Sequence, residues 1–340
     1  MLVPMMDNSE VTMMASIDAQ QRIAVLIPCL DEAATIAAVV ADFRKYVPQA
    51  RIYVYDNNST DGTGEIAAAA GAVVRLERLR GKGHVMRRMF ADIDADIYIM
   101  VDGDDTYDAA SAPALIQELC SGPFDLVNGA RVDTSVEAYR PGHRFGNAVL
   151  SGAVRYVFGT ASKDMLSGYK ALSRRFVKSF PALSTGFEIE TELLVHALEL
   201  GISISEISTP YKERPMGSES KLRTFRDGWR ILRLIALLCK EERPLAFFAL
   251  ISFVLSILSV GLSIPLFYEF LETGLVPRFP TAILSVGLML AAIIALFSGL
   301  ILDTVTRGRR EFKRLHFLAY DAVGVQVGRA ALVGTPARRL

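Results

Sequence analysis

Residues 97–108 read IYIMVDGDDTYD, in which a run of apolar and aromatic side chains leads directly into an acidic turn. Residues 22–28 (RIAVLIP) and 51–56 (RIYVYD) show the same pattern of an apolar run that ends in polar or turn-forming residues. Short runs of this kind, rich in β-branched and aromatic residues, are typical of strands buried on both faces of a sheet. Each is followed by a stretch whose apolar residues recur at helical spacing. This alternation predicts an α/β domain with a mainly parallel sheet.

The sequence from residue 22 to residue 131 accommodates five strands and four helices. We predict strands at 22–28, 51–56, 72–77, 97–102 and 125–129, and helices at 32–46, 62–71, 84–93 and 113–120. In sheets of this type, ligands bind beyond the carboxyl ends of the strands. The most polar turns of the chain fall at those ends, and we expect the functional site there.

The last third of the chain differs in character. Residues 244–268 and 280–302 contain no charged side chain, and each run is long enough to cross the roughly 30 Å hydrocarbon core of a bilayer. Basic residues flank the pair on its outer sides, whereas the connector 269–279 contains Arg278 as its single basic residue. This bias predicts a two-helix transmembrane hairpin with the N-terminal domain in the cytoplasm. Residues 226–243, where basic residues alternate with apolar ones at helical spacing, are predicted to form an amphipathic juxtamembrane helix. An amphipathic helix docked on the N-terminal domain is the alternative.

Composition limits the classes of function. The 37 Lys and Arg residues balance the 37 Asp and Glu residues, so no electrostatic preference for nucleic acid is expected. A hydrophobic content of 51% and a mean hydropathy of +0.31 are high for a purely soluble protein. Cys29, Cys120 and Cys239 lack metal-ligand or redox spacing, which indicates buried thiols in a reducing compartment. Residues 1–20 lack the basic start and apolar core of a secretory signal and are expected to form a flexible tail.

The acidic turn after residue 101 has the pattern of a metal site. Residues two apart on an extended backbone point the same way, so Asp102 and Asp104 can share one cation. Gly103 between them allows the backbone to approach closely. A hard divalent cation prefers such oxygen ligands and accepts phosphate oxygens at its open positions. A solvated acidic turn is the alternative, but the position at a strand's carboxyl end favours the metal.

Two further polar turns strengthen this interpretation. Residues 56–63 (DNNSTDGT) again follow a strand, and Asp56 is suited to accept hydrogen bonds from a nucleotide base or ribose. Residues 59–61 are suited to cap the next helix. Residues 80–84 (RGKGH) form a basic turn that opens a helix, a pattern typical of anion sites.

Taken together, these motifs resemble those of the family 2 glycosyltransferases, and within them the polyprenyl-phosphate branch typified by dolichyl-phosphate mannosyl synthases. The resemblance covers about residues 22–222 and rests on IPCLDE at 27–32, Asp56, the Gly-Lys-Gly turn at 81–83, Asp102 and Asp104 with Thr106, NGAR at 128–131, DMLSGY at 164–169, GFEIE at 186–190 and RPMGSESKL at 214–222. The chain departs from the family pattern at Asp31, where Asn is usual, at Ala130, where Ser is usual, and by one extra residue before Ser220.

The resemblance implies a Rossmann-like GT-A domain, a Mg²⁺ or Mn²⁺ cofactor and a nucleotide-sugar donor. The residues expected to bind the nucleotide sugar are Pro28, Leu30, Glu32, Asp56, Asn58, Lys82, Asp102, Gly103 and Asp104. The expected metal ligands are Asp102, Asp104 and Thr106. The residues expected at the acceptor phosphate are Arg131, Arg140, Arg144, Ser220 and Lys221. Catalytic roles are expected for Asp104, Arg131, Arg214 and Lys221, and a role in orienting the sugar or acceptor for Glu188 and Glu190.

The predicted organisation has five segments. They are a flexible tail at 1–20, a cytoplasmic GT-A glycosyltransferase domain at 21–225, the amphipathic helix at 226–243, two transmembrane helices at 244–303 and a basic cytoplasmic tail at 304–340. The chain is thus expected to be a multi-pass protein of the cytoplasmic membrane with both termini in the cytoplasm.

These expectations combine into one reaction. The metal would offset the charge that develops on the leaving nucleoside diphosphate. A phosphate acceptor is already anionic at about pH 7, so no strong general base is required and none is assigned. The sequence therefore predicts an inverting transferase that moves a sugar from a nucleotide-diphosphate donor to a polyprenyl phosphate. A UDP-sugar is the favoured donor, with a hexose or a hexuronic acid as candidate sugars. The polyprenyl-monophosphate sugar would serve cell-envelope glycan synthesis or lipopolysaccharide modification.

Three alternatives are weighed against this one. A processive polysaccharide synthase is disfavoured because the chain lacks a Gln-x-x-Arg-Trp motif and has too few apolar spans. A transferase that acts directly on a glycan or lipid acceptor stays open. A non-catalytic membrane adaptor on a transferase fold is disfavoured by the intact Asp56, Asp102 and Asp104. The identities of the sugar and nucleotide, and any homo-oligomeric state, are left open.

Overall fold

The computed structural model describes residues 21–133, 152, 155, 164–186, 188–212, 237 and 240–323. The chain forms two compact units, one of residues 1–224 with 313–340 and the other of residues 225–312. The strands are β1 (Ile23–Cys29), β2 (Arg51–Asp56), β3 (Val73–Leu76), β4 (Ile97–Met100), β5 (Phe124–Asp133), β6 (Lys170–Ser173) and β7 (Ser203–Tyr211). The α-helices are α1 (Ile36–Tyr46), α2 (Thr63–Ala69), α3 (Lys82–Asp92), α4 (Ala112–Ser121), α5 (Arg174–Ser179), α6 (Ile189–Leu200), α7 (Pro244–Thr273) and α8 (Phe279–Leu318).

The strands form one sheet in the order β3-β2-β1-β4-β6-β5-β7. β1 lies parallel to β2 and β4, β2 lies parallel to β3, and β5 lies parallel to β7. Among the strands of the described residues, β6 alone runs antiparallel, to both β4 and β5. The predicted α/β class with a mainly parallel sheet is confirmed. Strands β6 and β7 lie beyond the elements that the sequence pattern predicted.

The register of the central strands places the polar turns together. Cys29 at the end of β1 pairs with Asp56 at the end of β2. Leu26 in β1 pairs with Met100 at the end of β4. All four positions of β4 are buried, so the acidic turn extends directly from the core. The turns that follow these three parallel strands therefore meet at the carboxyl edge of the sheet, where ligands bind in such folds.

Helix α1 begins at Ile36, later than the predicted start at residue 32. The backbone of Asp31 has a φ of 51°, in the left-handed region that a continuous helix cannot include. Thr35 then donates its hydroxyl hydrogen to the Gly103 carbonyl, with 2.6 Å between the oxygens. Residues 32–35 form a turn, in which the N–H of Thr35 donates to the Glu32 carbonyl at 3.1 Å, and Thr35 with a φ of −118° is the N-cap of the helix.

The second unit contains most of the two long apolar helices. Both α7 and α8 are long and apolar enough to cross a membrane, and their most apolar stretches are 11% and 17% buried. Phe253, Phe267 and Ile294 expose 63%, 62% and 66% of their surface. The Ser259 hydroxyl donates to the Ser285 carbonyl at 2.7 Å, which joins the two helices. Neither helix is buried in the core of this chain, and the two are confirmed as candidate spans.

The end of α8 belongs to the first unit. Lys313 Nζ donates to Glu199 Oε2 of α6 at 2.5 Å, and the Glu199 side chain is 3% exposed. The Arg175 guanidinium lies 4.6 Å from the centroid of the Phe317 ring, and Phe317 is buried. Residues 313–323 therefore complete the surface of the α/β unit. The predicted juxtamembrane helix at 226–243 lies largely outside the described residues, and the predicted domain boundaries stay predictions.

The thiols partly agree with the sequence interpretation. Cys29 and Cys120 are thiols, of which Cys29 is buried and Cys120 half-buried. Cys239 lies outside the described residues.

Candidate functional site

The loop after β1 is fixed to the loop after β2. The backbone N–H of Asp31 donates to Ser59 Oγ at 2.9 Å, and the N–H of Thr60 donates to Asp31 Oδ1 at 2.7 Å. The N–H of Glu32 donates to Thr63 Oγ1 at 2.9 Å. Ser59 and Thr60 therefore hold the neighbouring loop. The sequence predicted that they cap α2, but the N-cap of α2 is Gly62.

Asp56 at the end of β2 has a fixed, half-buried carboxylate. Its Oδ1 accepts hydrogen bonds from the backbone N–H and the hydroxyl of Ser59. The adjacent Asn58 donates its amide to the carbonyls of Glu77 and Arg78, at 3.2 and 2.8 Å. Both side chains are thus rigid at the edge where the donor is expected. Their contacts with the nucleotide stay predictions.

The acidic turn places its two carboxylates in different environments. Asp104 is 3% exposed, and its Oδ1 accepts hydrogen bonds from the Thr106 hydroxyl at 2.6 Å and the Thr106 N–H at 3.3 Å. The Asp102 side chain is 28% exposed. A Cβ on Gly103 would lie 2.7 Å from Cys29 Sγ, so this position requires glycine for the turn to pack against β1.

A buried lysine joins the acidic turn to α6. Lys82 Nζ donates to Asp102 Oδ1 and to Glu190 Oε1, both at 2.5 Å. Burial alone would lower the pKa of Lys82, but the charges of the two carboxylates outweigh it and raise that pKa. Burial raises the pKa of Glu190, and the Lys82 ammonium opposes this rise. The sequence suggested both residues as site residues but gave no sign that they contact each other.

The first turn of α3 is covered by a neighbouring segment of the chain. The backbone N–H of Gly83 donates to the Thr185 carbonyl at 3.2 Å. A Cβ on Gly81 would lie 2.1 Å from the Thr185 oxygen, and one on Gly83 would lie 2.1 Å from the Ser184 oxygen. The glycines of this turn therefore allow the segment at 184–185 to lie directly on the helix start. The anion site predicted there from residues 80–84 stays a prediction.

Arg131 and Asp164 form a second charged pair. Arg131 Nε donates to Asp164 Oδ2 at 2.7 Å and Arg131 Nη2 donates to Asp164 Oδ1 at 2.8 Å. Burial raises the pKa of Asp164, but the hydrogen bonds and charge of Arg131 outweigh it and hold that pKa below its usual range. The guanidinium is oriented by this bidentate contact, so Arg131 is rigid before any phosphate arrives. Its predicted phosphate contact stays a prediction.

Sequence reasoning missed a buried lysine beside this pair. Lys170 of β6 is fully buried, and its Nζ donates to Asn128 Oδ1 at 2.5 Å. Burial lowers its pKa to about 8. The Asn128 amide in turn donates to the Asp164 carbonyl at 2.9 Å. No sequence signal identified Lys170, because lysine is seldom fully buried.

Several predicted site residues are placed, and others are not. Pro28 lies within β1, and Leu30 and Glu32 follow the strand in the loop at the carboxyl edge. Glu188 is the N-cap residue of α6. Glu190, in the first turn of that helix, is the residue that contacts Lys82. The predicted residues outside the described ranges are Arg140, Arg144, Arg214, Ser220 and Lys221. Within the described residues, no group of three or more His, Cys, Asp or Glu side chains is arranged to hold a metal.

Comparisons with known proteins agree with the motifs. The sequence model of Glycosyl transferase family 2 matches residues 24–179. The chain is 33% identical over 299 residues to glycosyltransferase AglJ of Haloferax volcanii, which covers 87% of this chain and 98% of that protein. It is 28% identical over 222 residues to dolichyl-phosphate hexose transferase of the same organism, over 65% of this chain and 95% of that protein.

A solved structure resembles the fold. Glucosyl-3-phosphoglycerate synthase of Mycobacterium tuberculosis, in complex with Mn²⁺, uridine diphosphate and phosphoglyceric acid, superposes with a TM-score of 0.53. The match has 25% sequence identity and covers 70% of this chain and 84% of that chain. It confirms the predicted GT-A class of fold.

Proposed function

Because the chain belongs to glycosyl transferase family 2, we propose that it transfers a sugar from a nucleotide-diphosphate donor to a polyprenyl phosphate at a membrane. The observation that carries this proposal is the meeting of Asp56, Asp102 and Asp104 at one edge of the sheet, brought together by the register of β1, β2 and β4. Carboxylates at that edge are suited to a nucleotide and to the cation that accompanies its diphosphate.

The donor side of the proposal rests on rigidity. Asp56 is held by Ser59, and the loop of Asp31 is held by Thr60, so the base-binding edge is formed before the donor arrives. A preformed edge reduces the ordering cost of binding. A UDP-sugar is our favoured donor, because the structurally similar synthase was solved with uridine diphosphate.

The donor set of the acidic turn fits Mg²⁺ or Mn²⁺. Asp102 and Asp104 supply carboxylate oxygens and Thr106 a hydroxyl oxygen, all within one short turn. Such hard oxygens suit these cations, which keep further positions for water or phosphate oxygens. When bound, the metal would offset negative charge on the departing diphosphate. The Mn²⁺ complex of the similar synthase supports this assignment.

The acceptor side rests on the apolar helices and one relative. Helices α7 and α8 are mostly exposed and apolar, so a bilayer is the environment that covers them at least cost. An enzyme with a lipid acceptor gains from such an anchor, because its acceptor resides in the same bilayer. The relative named dolichyl-phosphate hexose transferase supports a polyprenyl phosphate. Basic residues flank the outer ends of the two apolar helices, and such residues favour the cytoplasmic side. We therefore propose a multi-pass protein of the cytoplasmic membrane whose catalytic unit and termini are cytoplasmic.

The experiment uses the full chain in detergent with polyprenyl phosphate and a panel of radiolabelled UDP- and GDP-sugars. We expect label in the lipid phase from one donor, dependent on added Mn²⁺ or Mg²⁺. The same panel with a glycan acceptor in place of the lipid tests direct transfer. Label in the glycan and none in the lipid, from a folded protein, would replace the polyprenyl phosphate acceptor.

A further inference from the structure

Lys82 contacts two carboxylates of unequal exposure. The side chains of Lys82 and Glu190 are each 6% exposed, whereas that of Asp102 is 28% exposed. We propose that Lys82 is an internal counter-cation that competes with the divalent metal for Asp102, and so keeps the metal affinity of the nucleotide-free enzyme low. This inference rests on the proposed role of Asp102 as a metal ligand.

The geometry gives the competition its direction. A metal ion that approaches the acidic turn meets in Asp102 a carboxylate that an ammonium already neutralises at 2.5 Å. The ammonium also repels the incoming cation, and this repulsion is strong because the site is partly buried. Metal binding at Asp102 must therefore displace or weaken the contact with Lys82.

The second carboxylate makes that displacement feasible. Lys82 remains paired with Glu190 at 2.5 Å when Asp102 turns toward a metal, so a buried ammonium keeps a carboxylate partner. Leaving such a charge without a partner would be costly. Glu190 is thus a positioning residue for Lys82, and the two form an inner pair behind the outer carboxylate.

The backbone holds the ammonium in place. Gly81 has a φ of 130°, and Gly81 and Gly83 lie directly beneath the carbonyls of Thr185 and Ser184. Lys82 lies between these two packed glycines at the start of α3. The lysine is therefore anchored at its backbone and acts at one fixed location, unlike a surface lysine that can move into solvent.

A purely structural ion pair predicts a different result from a competing cation. If Lys82 only stabilised the fold, its removal would lower stability and leave metal affinity equal or weaker. If it competes, its removal raises metal affinity. Removal of Glu190 has the opposite effect, because the ammonium then has one carboxylate fewer to share and binds Asp102 more strongly.

The test measures Mn²⁺ binding to the full-length protein in detergent, at one fixed pH and without nucleotide, from the free Mn²⁺ signal in electron paramagnetic resonance. We expect Lys82→Met to bind Mn²⁺ about tenfold more tightly, which is about 1.4 kcal/mol. We expect Glu190→Gln to bind it severalfold more weakly. Arg88→Met is the matched control, since Arg88 lies on the same helix with a side chain that is 60% exposed, and its Mn²⁺ affinity should equal that of the wild type.

A double variant protects the test against misfolding. Lys82→Met with Glu190→Gln removes the inner pair together and leaves no buried charge from it, and we expect it also to bind Mn²⁺ more tightly than the wild type. Unchanged or weaker Mn²⁺ binding in both Lys82→Met and the double variant, with normal thermal unfolding, would overturn the competition. Absence of Mn²⁺ binding in every form, with and without UDP, would instead overturn the proposed metal site itself.

Discussion

Asp31 accepts a hydrogen bond from the backbone N–H of Thr60 at 2.7 Å, although the two residues are 29 positions apart. The bond joins the loops after β1 and β2, and it is made from a left-handed backbone conformation, which Asn and Asp adopt more readily than other residues with a side chain. Part of the contact between these loops, at the edge where the nucleotide is proposed to bind, therefore depends on one side chain of this type.

Replacement of Asp31 tests this dependence. We expect Asp31→Asn to keep the donor KM close to that of the wild type, because an amide oxygen can accept the same bond. Asp31→Ala loses the bond and the tolerance for positive φ, which should cost about 1–2 kcal/mol of stability and raise the donor KM. Steady-state kinetics and thermal unfolding of both variants check this. Equal KM values for the two would show that the loop is held by other contacts.

Asp104→Asn separates charge from shape in the acidic turn. The amide oxygen can still accept the Thr106 hydrogen bonds, so the fold should be retained, but the negative charge is lost. We expect kcat to fall by about 100-fold or more, the usual scale for loss of one electrostatic group in an active site. The control is Asp94→Asn, a surface carboxylate with a side chain that is 49% exposed. Near-normal turnover of Asp104→Asn would remove Asp104 from the metal site.

Gly83→Ala probes the contact that covers the start of α3. Its new methyl group would lie 2.1 Å from the Ser184 oxygen, a backbone atom that cannot move without shifting its segment. We expect a loss of about 1–3 kcal/mol in the free energy of unfolding, together with reduced activity, because Lys82 lies in the same turn. Gly308→Ala, a helical glycine with open space around it, should be neutral or slightly stabilising. Denaturant unfolding compares the two, and equal stabilities would refute the close contact.

The Arg131–Asp164 pair gives a pH dependence with a defined sign. The folded pKa of Asp164 is lowered, so the pair stabilises the fold above the unfolded pKa of about 3.9 and loses this effect as the pH falls through the folded pKa. We expect Asp164→Asn to lower the free energy of unfolding at about pH 7 by about 2–3 kcal/mol. The difference from the wild type should shrink as the pH falls below about 4. Unfolding curves at a series of pH values test this, and a constant difference would contradict it.

The strands could be predicted from sequence because their signal is local. β1, β2 and β4 are apolar runs that end in polar residues, and the structure has them close to the predicted positions. β6 was not predicted because its sequence, KALS, is short and contains a lysine. This residue, Lys170, is buried and donates a hydrogen bond to Asn128 on a neighbouring strand. Such burial depends on pairing between distant segments, which no local pattern encodes.

In the candidate site, too, some features could be predicted from local sequence and others depend on contacts between distant segments. The acidic turn and Asp56 were identifiable because each follows a strand, and the parallel register brings strand ends together. The contact between Lys82 and Glu190 joins residues 108 positions apart and depends on how α6 packs beside α3. The pairing of Arg131 with Asp164 likewise depends on β6 and the segment before it. Sequence therefore indicated which residues lie at this edge, but not which of them neutralise one another.

The packing of residues 313–323 onto the α/β unit has a consequence for biosynthesis. Lys313 and Phe317, which contact α6 and Arg175, lie in the last turns of α8, after the apolar stretches of both helices. Since a ribosome makes the chain from its N-terminus, these contacts can form only after the whole hairpin has been synthesised. The α/β unit thus reaches its final surface only after both apolar helices have been synthesised. The order of the chain delays completion of this unit until both candidate spans exist.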